Sequence, residues 1–399
     1  MKWEYKTLDE LGNVSRGKSK HRPRNDKVLF GGNYPFIQTA DVKKADLYIT
    51  EYQETYNEFG LAQSKLWKEG TLCITIAANI ADTAILKIPA CFPDSIMGFV
   101  PYENVADVKF VKYCFDVLQR DCQNISQGTA QDNLSWEKLS TIKFYVPDYD
   151  IQKQIASILS AYDDLIENNK KQIKLLEEAA QRLYKEWFID LRFPGYEDVE
   201  IVDGLSVGWE CKKLSELGTV ITGKTPSTSN EGFYGNDVPF VKIPDMHNKI
   251  FPLNVETYLS EEGANSQKGK YLPPNALLIS CIGTVGLINI TVEKCQTNQQ
   301  INALILSNEK ILYYMYYYLK GLQGLLQGLG SNGATMTNVN KNKLESILIE
   351  IPRYDLIENF FDYCKPVFDK ILMLSKENIS LQEARDRLLH RLMSGEVEV

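Results

Sequence analysis

Two stretches, Gly12–Ser19 (GNVSRGKS) and Gly218–Thr225 (GTVITGKT), satisfy GxxxxGK[ST], the spacing of a loop that cradles phosphates on backbone amides and sets a lysine on the outer phosphate. That chemistry needs a buried strand before the loop and a helix after it, so that amides and helix dipole converge on the anion. Here the preceding residues (KTLDEL, KKLSEL) carry charges, and the following ones (KHRPRND, PSTSNEG) are broken by Pro23 or Pro226. A polar loop that holds Lys18 and Lys224 against backbone phosphates of a nucleic acid is the preferred reading, with nucleotide binding at Gly218–Thr225 as the alternative and a plain surface turn as the bland one.

Other chemistry is poorly supported. Asn33–Phe36 (NYPF) resembles the NPPF-type motif that holds a target nitrogen in amino-methyltransferases, but its first proline is missing and no glycine-rich loop follows a strand to hold a methyl donor. Eight cysteines without a CxxC pair and three histidines, His21, His247 and His390, support neither a zinc site nor a disulfide framework. They offer no nucleophile and base pair either. The acid pair Asp163-Asp164 reads as a solvated helix face. No metal and no catalytic residue is expected in this chain.

The net charge of −8 argues at first against a polyanionic partner, but its distribution is uneven. Arg16, Lys18, Lys20, Arg22, Arg24 and Lys27 crowd one segment against the single acid Asp26, while residues 148–200 carry twelve acids and seven bases. The first segment suits phosphates and the second suits protein. With 44% hydrophobic and 24% charged residues, no apolar run near 18 residues and no apolar core in the opening MKWEYKTLDELG, a cytoplasmic protein without a membrane partner is expected.

The elements that position these loops are duplicated. Trp3–Val14 (WEYKTLDELGNV) and Trp209–Val220 (WECKKLSELGTV) agree at eight of twelve positions, 206 residues apart. Gly128, Leu139, Ile142, Pro147, Tyr149 and Asp150 fall on Gly333, Leu344, Ile347, Pro352, Tyr354 and Asp355, 205 residues on. Apolar runs at Thr71–Ala77 and Ala276–Ile282 suit buried strands. Ile142–Pro147 and Ile347–Pro352 read as closing strands, each ended by a proline. Two similar α/β domains, 1–147 and 194–352, are predicted.

After each proline the period changes to that of a coiled coil. Ile151, Ile155, Ile158, Tyr162, Leu165, Asn169, Gln172, Leu176, Ala179 and Leu183 form one seam within a helix over 148–193. Ile357, Phe360, Cys364, Val367, Ile371, Leu374, Asn378, Leu381, Arg385, Leu388 and Leu392 form another within 353–399, where Pro366 predicts a kink or a late start. If the seams bury each other, connectivity requires an antiparallel pair and a pseudo-twofold relation of the halves. A helix of some 40 residues spans about 60 Å, enough to set two domains on separate major grooves of one duplex. Asn169 and Asn378 either fix register or mark solvated breaks.

Taken in order, twice over, these features resemble the specificity subunit of type I restriction-modification systems across essentially the whole chain. The matching residues are WEYKTLDELG and WECKKLSELG, the loop Thr222–Ser227 (TGKTPS), the polar glycine loops Gln127–Ser135 and Ser331–Asn338, the helix start Pro147–Ile155 (PDYDIQKQI) and its exit Leu183–Gly195. The second copy departs from the pattern where PRYDLIENF lacks the glutamine. The resemblance implies that each domain, acting as a target-recognition domain, reads one half of a bipartite, asymmetric DNA target. It implies helices that bind two modification subunits, which carry S-adenosylmethionine and methylate adenine, and up to two restriction subunits using ATP and Mg. No cofactor is implied for this chain. Arg16, Lys18, Lys20, Arg22, Arg24 and Lys224 are the candidate phosphate contacts. Gln38, Gln127, Gln131, Asn133, Asn298, Gln299, Asn332 and Asn338 are candidate base readers, although an amide in a glycine-rich loop equally caps a turn. A duplicated scaffold that touches no DNA is the remaining alternative.

Overall fold

The computed structural model describes residues 3–76, 82–125, 136–199, 201–202, 205–206, 208–330 and 338–399. The chain divides into a first unit, Met1–Asn169 with Asn378–Val399, and a second, Lys170–Glu377. Each is α/β, and the same elements recur in each.

In the first unit Glu4–Thr7 pairs antiparallel with Lys143–Val146; in the second Glu210–Lys213 pairs the same way with Leu348–Ile351. These are the predicted closing strands. Each ladder binds the start of a domain to the strand that leads into its long helix. The repeated LDELG and LSELG form a helical turn just after the first strand: Glu10 accepts from the Thr7 amide at 2.7 Å and Glu216 from the Lys213 amide at 2.6 Å. Those amides would otherwise lack an intrahelical partner, which is why Glu recurs. The Thr7 amide also holds the Glu10 carboxyl below its ordinary pKa. The leucines on either side, Leu8 and Leu11, Leu214 and Leu217, are buried.

The first sheet runs in the order Gly12–Arg16, Ile96–Pro101, Leu72–Thr75, Thr83–Leu86, Tyr48–Ile49. The second repeats its first four members as Gly218–Thr222, Ile301–Leu306, Leu277–Ser280, Ile288–Ile290. Leu72–Thr75 and Leu277–Ser280 are fully buried, as continuous apolar runs predict. A second ladder stands beside each sheet, Phe30–Phe36 with Glu54–Tyr56 and Tyr234–Val241 with Tyr258–Leu259.

The long helices are Tyr149–Tyr184 and Tyr354–Met393. Pro366 lies inside the second, which begins at Tyr354, so of the kink or late start predicted the late start does not occur. In the first unit Asp163 meets Arg385, and in the second Tyr184 meets Phe360 at 6.2 Å. Within the first unit Ile155 and Leu159 share a core with Leu389 and Leu392, and Asp163, farther along, meets the earlier Arg385, so the two helices run antiparallel there.

The seam of the second helix follows the heptads: Ile371, Leu374 and Asn378 are buried, and Val367, Leu381 and Leu388 half-buried. On the first helix Ile155 and Asn169 are buried, and Tyr162, Leu176 and Leu183 are half-buried. Ile158 and Leu165, however, are 38% and 40% exposed, while Leu159, Asp163 and Ile166 are buried. The covered stripe is thus displaced from the one the heptads give. A heptad assumes one partner, whereas Ile155, Ala156 and Leu159 share a core with Phe110, Tyr113 and Phe115 of the domain as well as Leu389, Leu392 and Met393 of the other helix.

Candidate nucleic-acid interface

In both units the strand that opens the sheet runs into the GK loop, and the glycine is forced by packing. A Cβ on Gly17 would stand 2.2 Å from the Pro93 carbonyl oxygen, and one on Gly223 would stand 2.0 Å from that of Asn298. The loop amides already have protein acceptors. Gly17 N donates to Ile96 O at 2.8 Å and Lys18 N to Phe92 O at 3.0 Å, while Lys20 N and His21 N both donate to Gln63 Oε1. In the second unit Gly223 N donates to Ile301 O and Lys224 N to Thr297 O at 2.9 Å. A phosphate loop needs those amides open and a helix behind them. Here the next helical turn is the short Glu231–Phe233, so the nucleotide reading of Gly218–Thr225 fails on geometry.

What the loop does present is lysine. Arg16, Lys18, Lys20 and Lys224 are all exposed. Arg22 and Arg24 are exposed but engaged: Arg24 donates to Asp94 at 2.7 Å, and Arg22 to the carbonyls of Ser19 and His21 at 2.7 and 2.8 Å. Asp26 is held by His21 at 2.9 Å, which lowers its pKa. Two of the six predicted phosphate contacts therefore brace the loop.

Two further lysines, unremarkable in the sequence, join the loops. Lys65 Nζ reaches Ser15 Oγ at 3.5 Å and lies over the Trp67 ring, 3.4 Å from its centroid; partial burial lowers its pKa. Lys270 donates to Thr222 O at 2.9 Å. They stand 205 residues apart, the offset of the repeat, which was the one signal that could have found them.

Of the candidate readers, Gln38 is exposed and its amide nitrogen donates to Glu54 Oε2. Gln299, also exposed, accepts from Thr225 Oγ1 at 2.6 Å, which places it beside Lys224. Asn298 is buried, and both ends of its amide bond Gln300, so it forms a turn and does not face outward as a reader would. Asn338 is exposed and bridges to Ile282 through its backbone. Gln127, Gln131, Asn133 and Asn332 lie outside the described residues.

Among the described residues no group of His, Cys, Asp and Glu is arranged to hold a metal, and no helix is long and apolar enough to cross a membrane. Six of the seven free cysteines described are buried; burial pushes the Cys295 thiol up to about 12.

Comparison with known proteins agrees with this arrangement. The family described as "Type I restriction modification DNA specificity domain" matches residues 1–178 and 206–377. The specificity subunit of the type I restriction enzyme HindI from Haemophilus influenzae is 35% identical over 333 residues, 68% of this chain and 72% of that protein. The MjaIX specificity subunit from Methanocaldococcus jannaschii is 26% identical over 100% of this chain and 94% of its own length. The crystal structure of a type I restriction-modification S subunit from M. genitalium superposes with a TM-score of 0.62 at 16% identity, covering 98% of this chain and 96% of that one, and so shares the fold. The chain belongs to the type I restriction-modification specificity subunits.

Proposed function

We propose that each unit reads one half of a bipartite double-stranded DNA target and that the chain contributes recognition without catalysis. One observation carries this reading. The same exposed lysine, Lys18 or Lys224, is fixed by its amide to the carbonyl of the corresponding residue, Phe92 or Thr297, 205 residues apart, in two domains whose surrounding side chains differ. A shared phosphate anchor beside unlike surfaces is what two different half-sites on one kind of backbone require.

The partner reading rests on the helices. Ile158 and Leu165 in the first unit, and Leu175, Tyr363 and Met373 in the second, are exposed apolar side chains on the long helices, and each set offers another protein something to cover. Two modification subunits, and up to two restriction subunits, would dock there. S-adenosylmethionine would belong to the modification subunit and ATP with Mg to the restriction subunit.

Exchanging residues 1–147 for the first domain of another family member tests the reading. With modification subunits supplied, mapping of methylated adenines should show one half of the motif replaced and the other unchanged. Replacement of both halves would refute independent reading, and methylation without any motif would refute recognition by this chain.

A further inference from the structure

One backbone slot recurs in both units with different side chains. Gln38 and Lys242 each follow the strand of the second ladder and precede a short helical turn, with φ/ψ of −106/169 and −121/168. In each the amide donates to the aspartate three residues on, Asp41 or Asp245, at 2.8 Å. The backbone is thus held independently of the side chain.

Each side chain reaches across to the same neighbouring segment. Gln38 donates to Glu54, which pairs with Phe36 in the ladder. Lys242 donates to Thr257 Oγ1 at 2.7 Å, and Phe240 N donates to Thr257 O. The slot also sits at a fixed place relative to the lysine anchor. Ile37 N bonds Cys91 O while Lys18 N bonds Phe92 O; Val241 pairs with Thr297, whose carbonyl takes Lys224 N. Anchor and slot therefore flank one segment, and their backbones stand about 10 Å apart, two strand spacings.

We infer that Gln38 with Glu54, and Lys242 with Thr257, are corresponding specificity-determining pairs, each reading base edges of its own half-site. The inference rests on the DNA-reading function proposed above. The chemistry differs as two half-sites demand. Gln suits the N6 and N7 edge of adenine and Glu the amino group of cytosine, whereas Lys suits O6 and N7 of guanine. Contact with DNA would exchange the internal Gln38–Glu54 and Lys242–Thr257 bonds for bonds to bases, so neither pair leaves a polar group unmet in the free protein.

The test uses the full chain with its modification subunits and a duplex library, read by mapping methylated adenine. The paired exchanges Gln38→Lys with Glu54→Thr, and Lys242→Gln with Thr257→Glu, should each change the preferred base at one or two positions of a single half-site. The methylation ratio of cognate to singly mismatched duplex should fall roughly ten- to a hundredfold there. The milder Gln38→Ala, which keeps the Asp41 bond to the backbone, should relax the same positions with an unchanged melting temperature. An unchanged motif in both exchanges, or a uniform loss across all sequences, overturns the assignment while leaving DNA reading intact. A natural chain that directs methylation to no motif overturns the function on which it rests.

Discussion

The place where each domain grips the long helices is built from opposite materials in the two units. In the first, Gln152 is buried and bonds the backbone of Val105, Asp107 and Pro147. Asp163, also buried, accepts from Tyr113 Oη and from Arg385, and Lys112 pairs with Asp116 at 2.7 Å. In the second, positions 205 residues from Gln152 and Asp163 hold Ile357 and Phe368, and the position 205 residues before Arg385 holds Ala180. There Phe368 lies 4.3 Å from Tyr313 and 6.0 Å from Tyr317, while Phe360 packs on Phe188 at 5.0 Å. An ion pair in one unit is a phenylalanine and an alanine in the other. The difference teaches that a duplicated geometry need not keep its energetics: the charged joint bears a desolvation cost that its ion pairs and hydrogen bonds must offset, and the aromatic joint gains stability from burial.

Alkaline titration should separate the two most strongly. Burial raises the pKa of Tyr184, Tyr313, Tyr314, Tyr316 and Tyr317 at the second joint, against Tyr113 at the first. Unfolded tyrosine titrates near about 10, so the unfolded state loses these protons first. Stability is therefore intact below that pH and falls above it, by about 1.4 kcal/mol per pH unit for each tyrosine that stays protonated in the folded form. The second unit should open first, and peptide mapping of limited proteolysis across the alkaline range would show it. First cleavage in the charged unit would break the comparison.

Substitution comes next. Phe360→Ala removes a fully buried ring and should cost about 3–5 kcal/mol in urea unfolding. Arg385→Ala should cost about 3 kcal/mol, because it leaves the Asp163 carboxylate buried without its cation. The double variant Asp163→Phe with Arg385→Ala transplants the aromatic solution into the first unit; with the unpaired carboxylate gone it should be more stable than Arg385→Ala by about 1–2 kcal/mol, the Tyr113 hydroxyl being left without its acceptor. A double variant as unstable as Arg385→Ala alone would mean that the two joints are not interchangeable.

Much of this was legible in the sequence, for reasons that particular residues make plain. The offset of 205 or 206 fixed the duplication, and the closing prolines marked both helix starts, because Pro147 and Pro352 stand just past the last paired residues, Val146 and Ile351, and have no N–H with which to extend the ladder. Phe360, Cys364 and Ile371 gave the second seam. The first failed at Ile158 and Leu165, because a helix clasped on two sides buries a stripe that a one-partner repeat does not describe. The GK loops drew attention for a reason the structure replaces: their glycines let a strand end approach a neighbouring carbonyl, and spacing alone does not tell that from a phosphate cradle. The Gln38 and Lys242 slot was hidden because the shared feature is a backbone held by Asp41 and Asp245, while the side chains, which are what a sequence comparison sees, are unlike.

The smallest effect concerns what the units share. Lys18→Ala and Lys224→Ala should each weaken duplex binding almost equally for all sequences and reduce the slope of log affinity against log salt by about 1, since each removes one phosphate contact. The fall in affinity itself should be smaller for Lys18, which has Arg16 and Lys20 exposed on the same loop, than for Lys224, where Thr222 and Pro226 stand at the corresponding positions. Titrations of the assembled complex at several salt concentrations would measure both quantities. A changed motif in place of a changed slope would place these lysines on base edges, and the division between a common anchor and exchanged readers would not hold.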